Sequence, residues 1–259
     1  MKKLLIKAAL VTALVSSAQA GAVLDIEIGG GQWMTDAPTG TLEASGVNFD
    51  LTNEANLGST SDNTYVWAVI DHPIPIVPNL RIEQSTLKSS GTKTLAIPDL
   101  FSFNGAVDTE LDMTHTDFIA YWGVPFSTWL PFIDELDFGL GAKSFQGGLT
   151  MVENITGSSL VSEDFTGAFM PYGYAKLRVE PPLMMGIGLE AEVKYLSVDV
   201  GAVVSNFNET IVKADFGFLA PLPILDIEAG VEVGYRMMSI DVEVTGMTAV
   251  IDFSGVFFG

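Results

Sequence analysis

The chain has 259 residues, a formal net charge of -20, 48% hydrophobic residues and no cysteine. So acidic a surface excludes a nucleic-acid partner, which needs a basic footprint, and the hydrophobic content excludes a disordered chain. The lack of cysteine excludes disulfides, a thiol nucleophile and lipid attachment through a cysteine.

Met1-Lys2-Lys3 opens a basic segment, Leu4 to Val15 is apolar apart from Lys7, and Ala18-Gln19-Ala20 supplies a small-residue cleavage site. Residues 1–20 therefore read as a secretory signal peptide cut after Ala20, which leaves 21–259 as one domain. The expected location is the outer membrane of a Gram-negative cell, reached by the general secretory route. Past residue 20 no run of about 18 uninterrupted apolar residues occurs. A hydrophobic exported chain then resolves as a closed barrel, in which every backbone polar group pairs between strands.

Apolar/polar alternation recurs along the chain, as in Gly186-Ile187-Gly188-Leu189-Glu190-Ala191-Glu192-Val193-Lys194-Tyr195. Period two means strand, and these runs reach the nine to eleven or so residues that a tilted strand needs to cross a bilayer. The alternation predicts an all-β fold: a transmembrane antiparallel up-and-down barrel of about ten strands. The strands fall at 22–33, 63–72, 79–90, 108–123, 134–148, 166–180, 185–200, 208–220, 225–241 and 246–258.

Two kinds of connection alternate between them. One is proline-laden: His72 to Asn79, Val124 to Asp134, Glu180-Pro181-Pro182 and Ala220 to Pro223. The other is polar: Thr35 to Asn63, Gly91 to Val107, Thr150 to Phe165, Ala202 to Phe207 and Glu243 to Gly246. Proline stops ladder pairing, and short turns belong on the periplasmic side of such barrels. The proline turns and both termini are thus expected in the periplasm, with the polar loops outside. A helical turn is predicted within Trp129 to Asp134.

On the later strands, Val212, Ala214, Phe216, Val231, Val233, Tyr235, Ala175, Leu177, Val179, Leu136, Phe138 and Leu140 are expected to face lipid. The intervening positions place a lumenal charge network of Arg81, Glu83, Asp137, Lys143, Lys176, Arg178, Glu190, Glu192, Lys194, Lys213, Asp215, Glu228, Glu232 and Arg236. Reversing a strand would push Lys or Arg into hydrocarbon at roughly 2–4 kcal/mol near the midplane, so the register is set. Mixed charges in a narrow lumen are expected to pair and fill it, with Gly139, Gly141, Gly230 and Gly234 leaving room for the long side chains. Trp33, Tyr65, Trp67, Tyr121, Trp122, Trp129, Phe169 and Tyr172 lie near strand ends and read as interfacial girdles. On the last strand Ala249, Ile251, Phe253 and Phe257 are expected to face lipid. Barrels of this class usually end on an aromatic that the assembly machinery recognises, whereas here Phe258 is followed by Gly259.

The segment Leu24-Asp25-Ile26-Glu27-Ile28-Gly29-Gly30-Gly31-Gln32-Trp33 resembles the opening strand of a functionally uncharacterised family of bacterial outer-membrane β-barrel proteins named for its Gly-Gly signature. The stretch Tyr65 to Asn79, with its His72-Pro73-Ile74-Pro75 turn, resembles that family's second strand and turn. The resemblance covers essentially the whole mature chain. It implies the barrel fold and the outer membrane, and it carries no catalytic residue. The glycine run lacks the lysine and helix of a phosphate-binding loop.

His72 and His115 are the only imidazoles, and a His115–Asp117 contact is conceivable on one strand face. A lone strand histidine is ordinarily a packed polar residue, so no enzyme, no catalytic residue, no cofactor and no fixed metal site is expected. The first acidic loop (Asp36, Glu43, Asp50, Glu54, Asp62) could share divalent cations with lipopolysaccharide phosphates, since hard cations favour oxygen ligands. The expected partners are outer-membrane lipid, lipopolysaccharide and, during biogenesis, the barrel assembly machinery. Three roles follow from the pattern: a salt-bridge-filled barrel with a structural or surface-interaction role, a narrow channel for small solutes, and a lipid-modifying enzyme as the remotest.

Overall fold

The structure is a computed structural model that describes residues 25–44, 47–74, 76–97, 103–124, 132–181, 186–200, 203–221, 226–244 and 247–259. The expected signal peptide lies outside the described residues, as do residues 129–131 of the segment expected to hold a helical turn, while Ile133 and Asp134 of that segment open a strand. Among the described residues sixteen strands form. They are β1 (Asp25–Thr35), β2 (Thr39–Ala44), β3 (Val47–Asp50), β4 (Thr60–Asp71), β5 (Asn79–Ser85) and β6 (Lys88–Ile97). Then come β7 (Phe103–Asp112), β8 (His115–Gly123), β9 (Ile133–Phe145), β10 (Gly148–Glu153), β11 (Ser159–Asp164) and β12 (Phe169–Val179). The chain closes with β13 (Ile187–Val200), β14 (Val203–Pro221), β15 (Asp226–Val244) and β16 (Met247–Phe258).

Ten of these make the barrel. The order β1-β4-β5-β8-β9-β12-β13-β14-β15-β16 returns to β1, every pair antiparallel. Closure removes the free edge that an open sheet would leave. At the closing seam Gln32 to Thr35 meet Phe258 to Gly255. The glycine run makes that approach possible. A Cβ at Gly29 would strike the Trp67 indole, and one at Gly31 would strike the backbone of Phe258 and Gly259. Gly259 itself extends the ladder, exchanging backbone hydrogen bonds of 2.9 and 3.0 Å with Glu232.

Side chains alternate across the wall, apart from irregularities at Trp33/Thr35 and Arg178/Val179. Outward stand Ile28, Val66, Ile70, Leu80, Ile82, Phe118, Phe138, Leu140, Leu177, Leu189, Val193, Val212, Phe216, Val231, Val233, Val256 and Phe258, all exposed. Ala249, Ile251, Phe253 and Phe257, expected outside, point inward and are buried. Parity explains the correction: Val256 and Phe258 occupy the outer face of β16, so the odd-numbered residues must take the inner one.

The loops hold more order than their polar composition suggested. Stretches expected as single strands at 79–90 and 108–123 each break in two, at Thr86-Leu87 and at Met113-Thr114. Beyond the breaks β6 and β7 join β10 and β11 in a separate four-stranded sheet, β11-β10-β7-β6. β2 and β3 extend the barrel sheet beyond β16. After β3, Asp50 caps a helical turn, its carboxylate accepting from the Thr52 (2.8 Å) and Asn53 (2.7 Å) N–H groups. The Glu54 and Ala55 N–H groups return to the Asp50 carbonyl. An Asp at this position satisfies amide donors that a first helical turn leaves without partners.

Candidate functional site

The interior of the barrel holds three layers, read from the loop end to the proline-turn end. The first is apolar. The capped turn and its exit place Leu51, Ala55 and Leu57 over the mouth, against Leu111 and Leu149 from the four-stranded sheet and Leu87 and Met113 from the breaks that lead into it. Phe145, Phe207, Met238, Ile240, Ile251 and Phe253 continue the same cluster down into the barrel. Leu51, Leu87 and Leu111 are 0% exposed, so this end is stoppered by hydrocarbon.

The second layer is charged and also sealed. Lys143 Nζ lies 2.8 Å from Asp117 Oδ2 and 3.0 Å from Glu209 Oε2. Lys194 stands 3.5 Å from Asp117, Glu192 and Glu209 and 3.9 Å from Glu83. Arg236 reaches Glu83 at 2.8 Å and also pairs with Glu209. Arg81 bridges Glu83 (2.9 Å) and Glu192 (3.2 Å). Arg81, Lys143, Lys194 and Arg236 thus face Glu83, Asp117, Glu192 and Glu209, and the layer is electrically neutral. Strand pairing puts the partners side by side: Asp117 opposite Lys143 and Lys194 opposite Glu209.

The third layer, at the proline end, carries excess acid. Lys213 holds Glu190 and Glu232, each at 3.1 Å. Lys176 pairs with Glu135 (2.5 Å) and Asp137 (2.8 Å). Arg178 meets Asp215 at 2.7 Å and Asp134 and Glu180 at 3.2 Å. These three cations are only partly buried, unlike the layer above.

Of the residues expected in the lumen, Arg81, Glu83, Lys143, Glu192, Lys194 and Arg236 gather in the sealed layer. Asp137, Lys176, Arg178, Glu190, Lys213, Asp215 and Glu232 gather at the proline end. Glu228 lies on β15, its side chain outside the described residues. Sequence reasoning missed Asp117 and Glu209, the two carboxylates that hold Lys143. Their signal was present: Asp117 shares inward parity with His115 and Tyr121, and Glu209 with Ile211 and Lys213.

The aromatic girdle needs correction as well. Trp33, Tyr65, Tyr121 and Tyr172 are buried inside, and Trp67 also points inward, stacked by Arg81 at 5.6 Å. Phe169 and Trp122 do stand outside; Trp129 lies outside the described residues. The inward tyrosines serve the carboxylates. Tyr172 donates to Asp117 (2.7 Å), Tyr65 to Glu232 (2.6 Å) and Tyr121 to Asp71 (2.5 Å). An ionised carboxylate offers about four acceptor sites, more than the lumenal cations can fill, and the phenols supply some of the remaining donors. The Arg236 guanidinium lies 4.7 Å from the Trp33 ring, a cation–π contact inside the lumen. Gly141 leaves the space that the Tyr172 ring occupies, and Gly234 that of Phe257.

Both histidines are engaged by their surroundings. His72 braces its proline turn, contacting the Pro78 carbonyl (3.1 Å) and the Ile74 N–H (3.2 Å). His115 is fully buried, with Nδ1 2.8 Å from the Met113 carbonyl and Nε2 3.6 Å from Asp117. In the acidic loop, Asp50 and Glu54 are occupied by their own turn, Glu54 accepting from the Asp50 N–H at 2.7 Å. Among the described residues no group of three His, Asp or Glu side chains stands close enough to share a metal ion. No protein-family model matches the chain, and no curated protein matches it.

Proposed function

We propose that this chain is an integral outer-membrane barrel of a Gram-negative cell, closed to solutes, with a structural or surface-interaction role. The observation that carries the reading is inverted polarity: at the level of the apolar belt the described charges turn inward, and outward-facing acids such as Asp62, Asp199, Asp241 and Asp252 come only beyond it, toward the loop end. On β15 the belt from Ala229 to Met237 spans roughly 27 Å at about 3.4 Å per residue. At a tilt of about 40° that becomes roughly 20 Å, near the apolar band of about 25 Å typical of such barrels. Uncharged polar side chains border it toward the loop end, where Gln84, Thr116 and Ser144 pair across three adjacent strands. A soluble protein would expose such a belt at the cost of aggregation.

The closed state rests on the stopper and the neutral layer beneath it, which together leave no continuous water column. On this reading residues 1–20 direct export, and the proline turns and both termini are periplasmic. Lipid and lipopolysaccharide surround the wall, and the barrel assembly machinery inserts it. Membership of the Gly-Gly family fits the space that Gly29 and Gly31 leave at the seam. The reading assigns no catalytic chemistry to His115, whose ring is sealed from substrate.

Cell fractionation with heat-modifiable gel mobility tests the location, and a planar-bilayer recording tests the closure. The expected results are outer-membrane recovery, a mobility shift on boiling and no steady conductance. Recovery as a soluble protein would overturn the location. A stable cation-selective current would favour the channel reading instead. Spin labels at Val193 and Val231 should be lipid-embedded.

A further inference from the structure

Between the sealed charge layer and the proline end lies a cavity of about 20 Å³. Its wall includes Trp33, Tyr65, Trp67, Arg81, Arg236 and Phe257. A space of about 10–15 Å³ is enough for the sphere of one water molecule. The residues around it carry hydrogen-bonding atoms that the protein leaves without partners. Trp33 Nε1, Arg81 Nε and Arg236 Nε are buried donors with no acceptor among the described residues. Glu190 Oε1 and Glu192 Oε1, on the same wall, stand near lysines but accept no hydrogen bond. Buried polar groups are rarely left so, because each costs the desolvation that a partner would offset.

The mixture of unsatisfied groups selects the occupant. A metal ion would be repelled by three N–H donors, two of them on guanidinium groups. A simple anion would be repelled by two carboxylates. A molecule that both accepts and donates, and fits the space, satisfies both sets. We infer that the cavity is a built hydration site: an ordered water accepts from up to two of the N–H donors of the Trp33 indole and the arginine Nε groups, and donates to Glu190 and Glu192. The water reaches it from the proline-turn end, past Lys213 and Glu232, which are partly exposed while the groups beyond them are not. The lumen is then a blind, wet recess open to one side of the wall.

X-ray radiolytic footprinting of the folded full chain tests this, since hydroxyl radicals formed from bound water oxidise the side chains beside it. Tyr65 and Phe257 line the cavity, whereas Tyr172 and Phe253 do not, and all four are buried. The site predicts that Tyr65 is oxidised several-fold faster than Tyr172, and Phe257 several-fold faster than Phe253. Equal rates within each pair would overturn it. Ile211, also on the wall, offers a second arm: Ile211→Phe fills the space and should abolish the excess labelling while the heat-modifiable mobility persists. Excess labelling that survives in the folded variant would also overturn the site. If that variant fails to fold, the wild-type comparison still decides.

Discussion

The two ends of the lumen solve the same problem in opposite ways. At the loop end, Leu51, Leu87 and Leu111 exclude water, and the charges directly below them must balance one another: four cations against four carboxylates. At the proline end, Lys176, Arg178 and Lys213 face Asp134, Glu135, Asp137, Glu180, Glu190, Asp215 and Glu232, seven acids against three bases. Partial exposure lets solvent screen the surplus there. Ion pairing in this protein is therefore a requirement where water is shut out, and a convenience where it is not.

Removing a cation from each region is the strongest way to break that comparison. Lys143→Met should leave the dry layer one cation short, with Asp117 and Glu209 each losing a partner, and cost about 3–5 kcal/mol, the usual result of breaking a buried pair. Urea or thermal unfolding would measure it, and a loss no larger than that of Lys176→Met would show the two regions to be equivalent. Leu51→Ala should come next, at about 2–3 kcal/mol for a buried leucine truncated to a cavity. It should leave the bilayer silent, because the neutral layer still blocks the lumen; a current from this variant alone would make the stopper the sole barrier. Arg178→Gln, at the wet end, should cost less than about 1 kcal/mol in the same unfolding experiment.

The smallest effect sharpens the picture of the stopper's support. Hydrogen bonds from the Asn53 backbone and side chain, and from Thr52, hold the Asp50 carboxyl below its usual value of 3.8. A depressed folded value means that this stabilisation is present above 3.8 and is lost as pH falls through the still lower folded value. Amide protection over Leu51 to Leu57, corrected for intrinsic exchange, should therefore weaken on acidification while that of β13 and β14 holds. Asp50→Asn should show no such acid step, and one that persisted there would point to another carboxylate.

Much of this protein was legible as text because a barrel wall obeys period two. Ile187 to Tyr195 declare their faces without reference to any neighbour, and the seven lumenal cations follow from parity alone. Other features depend on what lies across the lumen. Trp33 and Tyr121 sit near strand ends, which suits an interfacial ring, yet their parity turns Trp33 toward the Arg236 guanidinium and Tyr121 toward Asp71, partners that amphipathic preference does not register. The first polar loop hid Leu51 and Leu57 as scattered leucines, Leu111 belongs to the expected strand 108–123, and Leu149 falls just past the end of another. Only the folding of β6, β7, β10 and β11 into a cap brings them over one opening.

The alternation of side chains, the proline punctuation and the absence of a long apolar run were enough, by themselves, to specify an antiparallel closed wall with charge inside. Those are local properties, fixed by backbone geometry within a few residues. Which charges meet, how the stopper forms and where a small space remains were decided by closure. Bringing Glu83 within 2.8 Å of Arg236 requires β5 and β15 to face one another across the barrel, 153 residues apart in sequence. No period within a single strand encodes that distance.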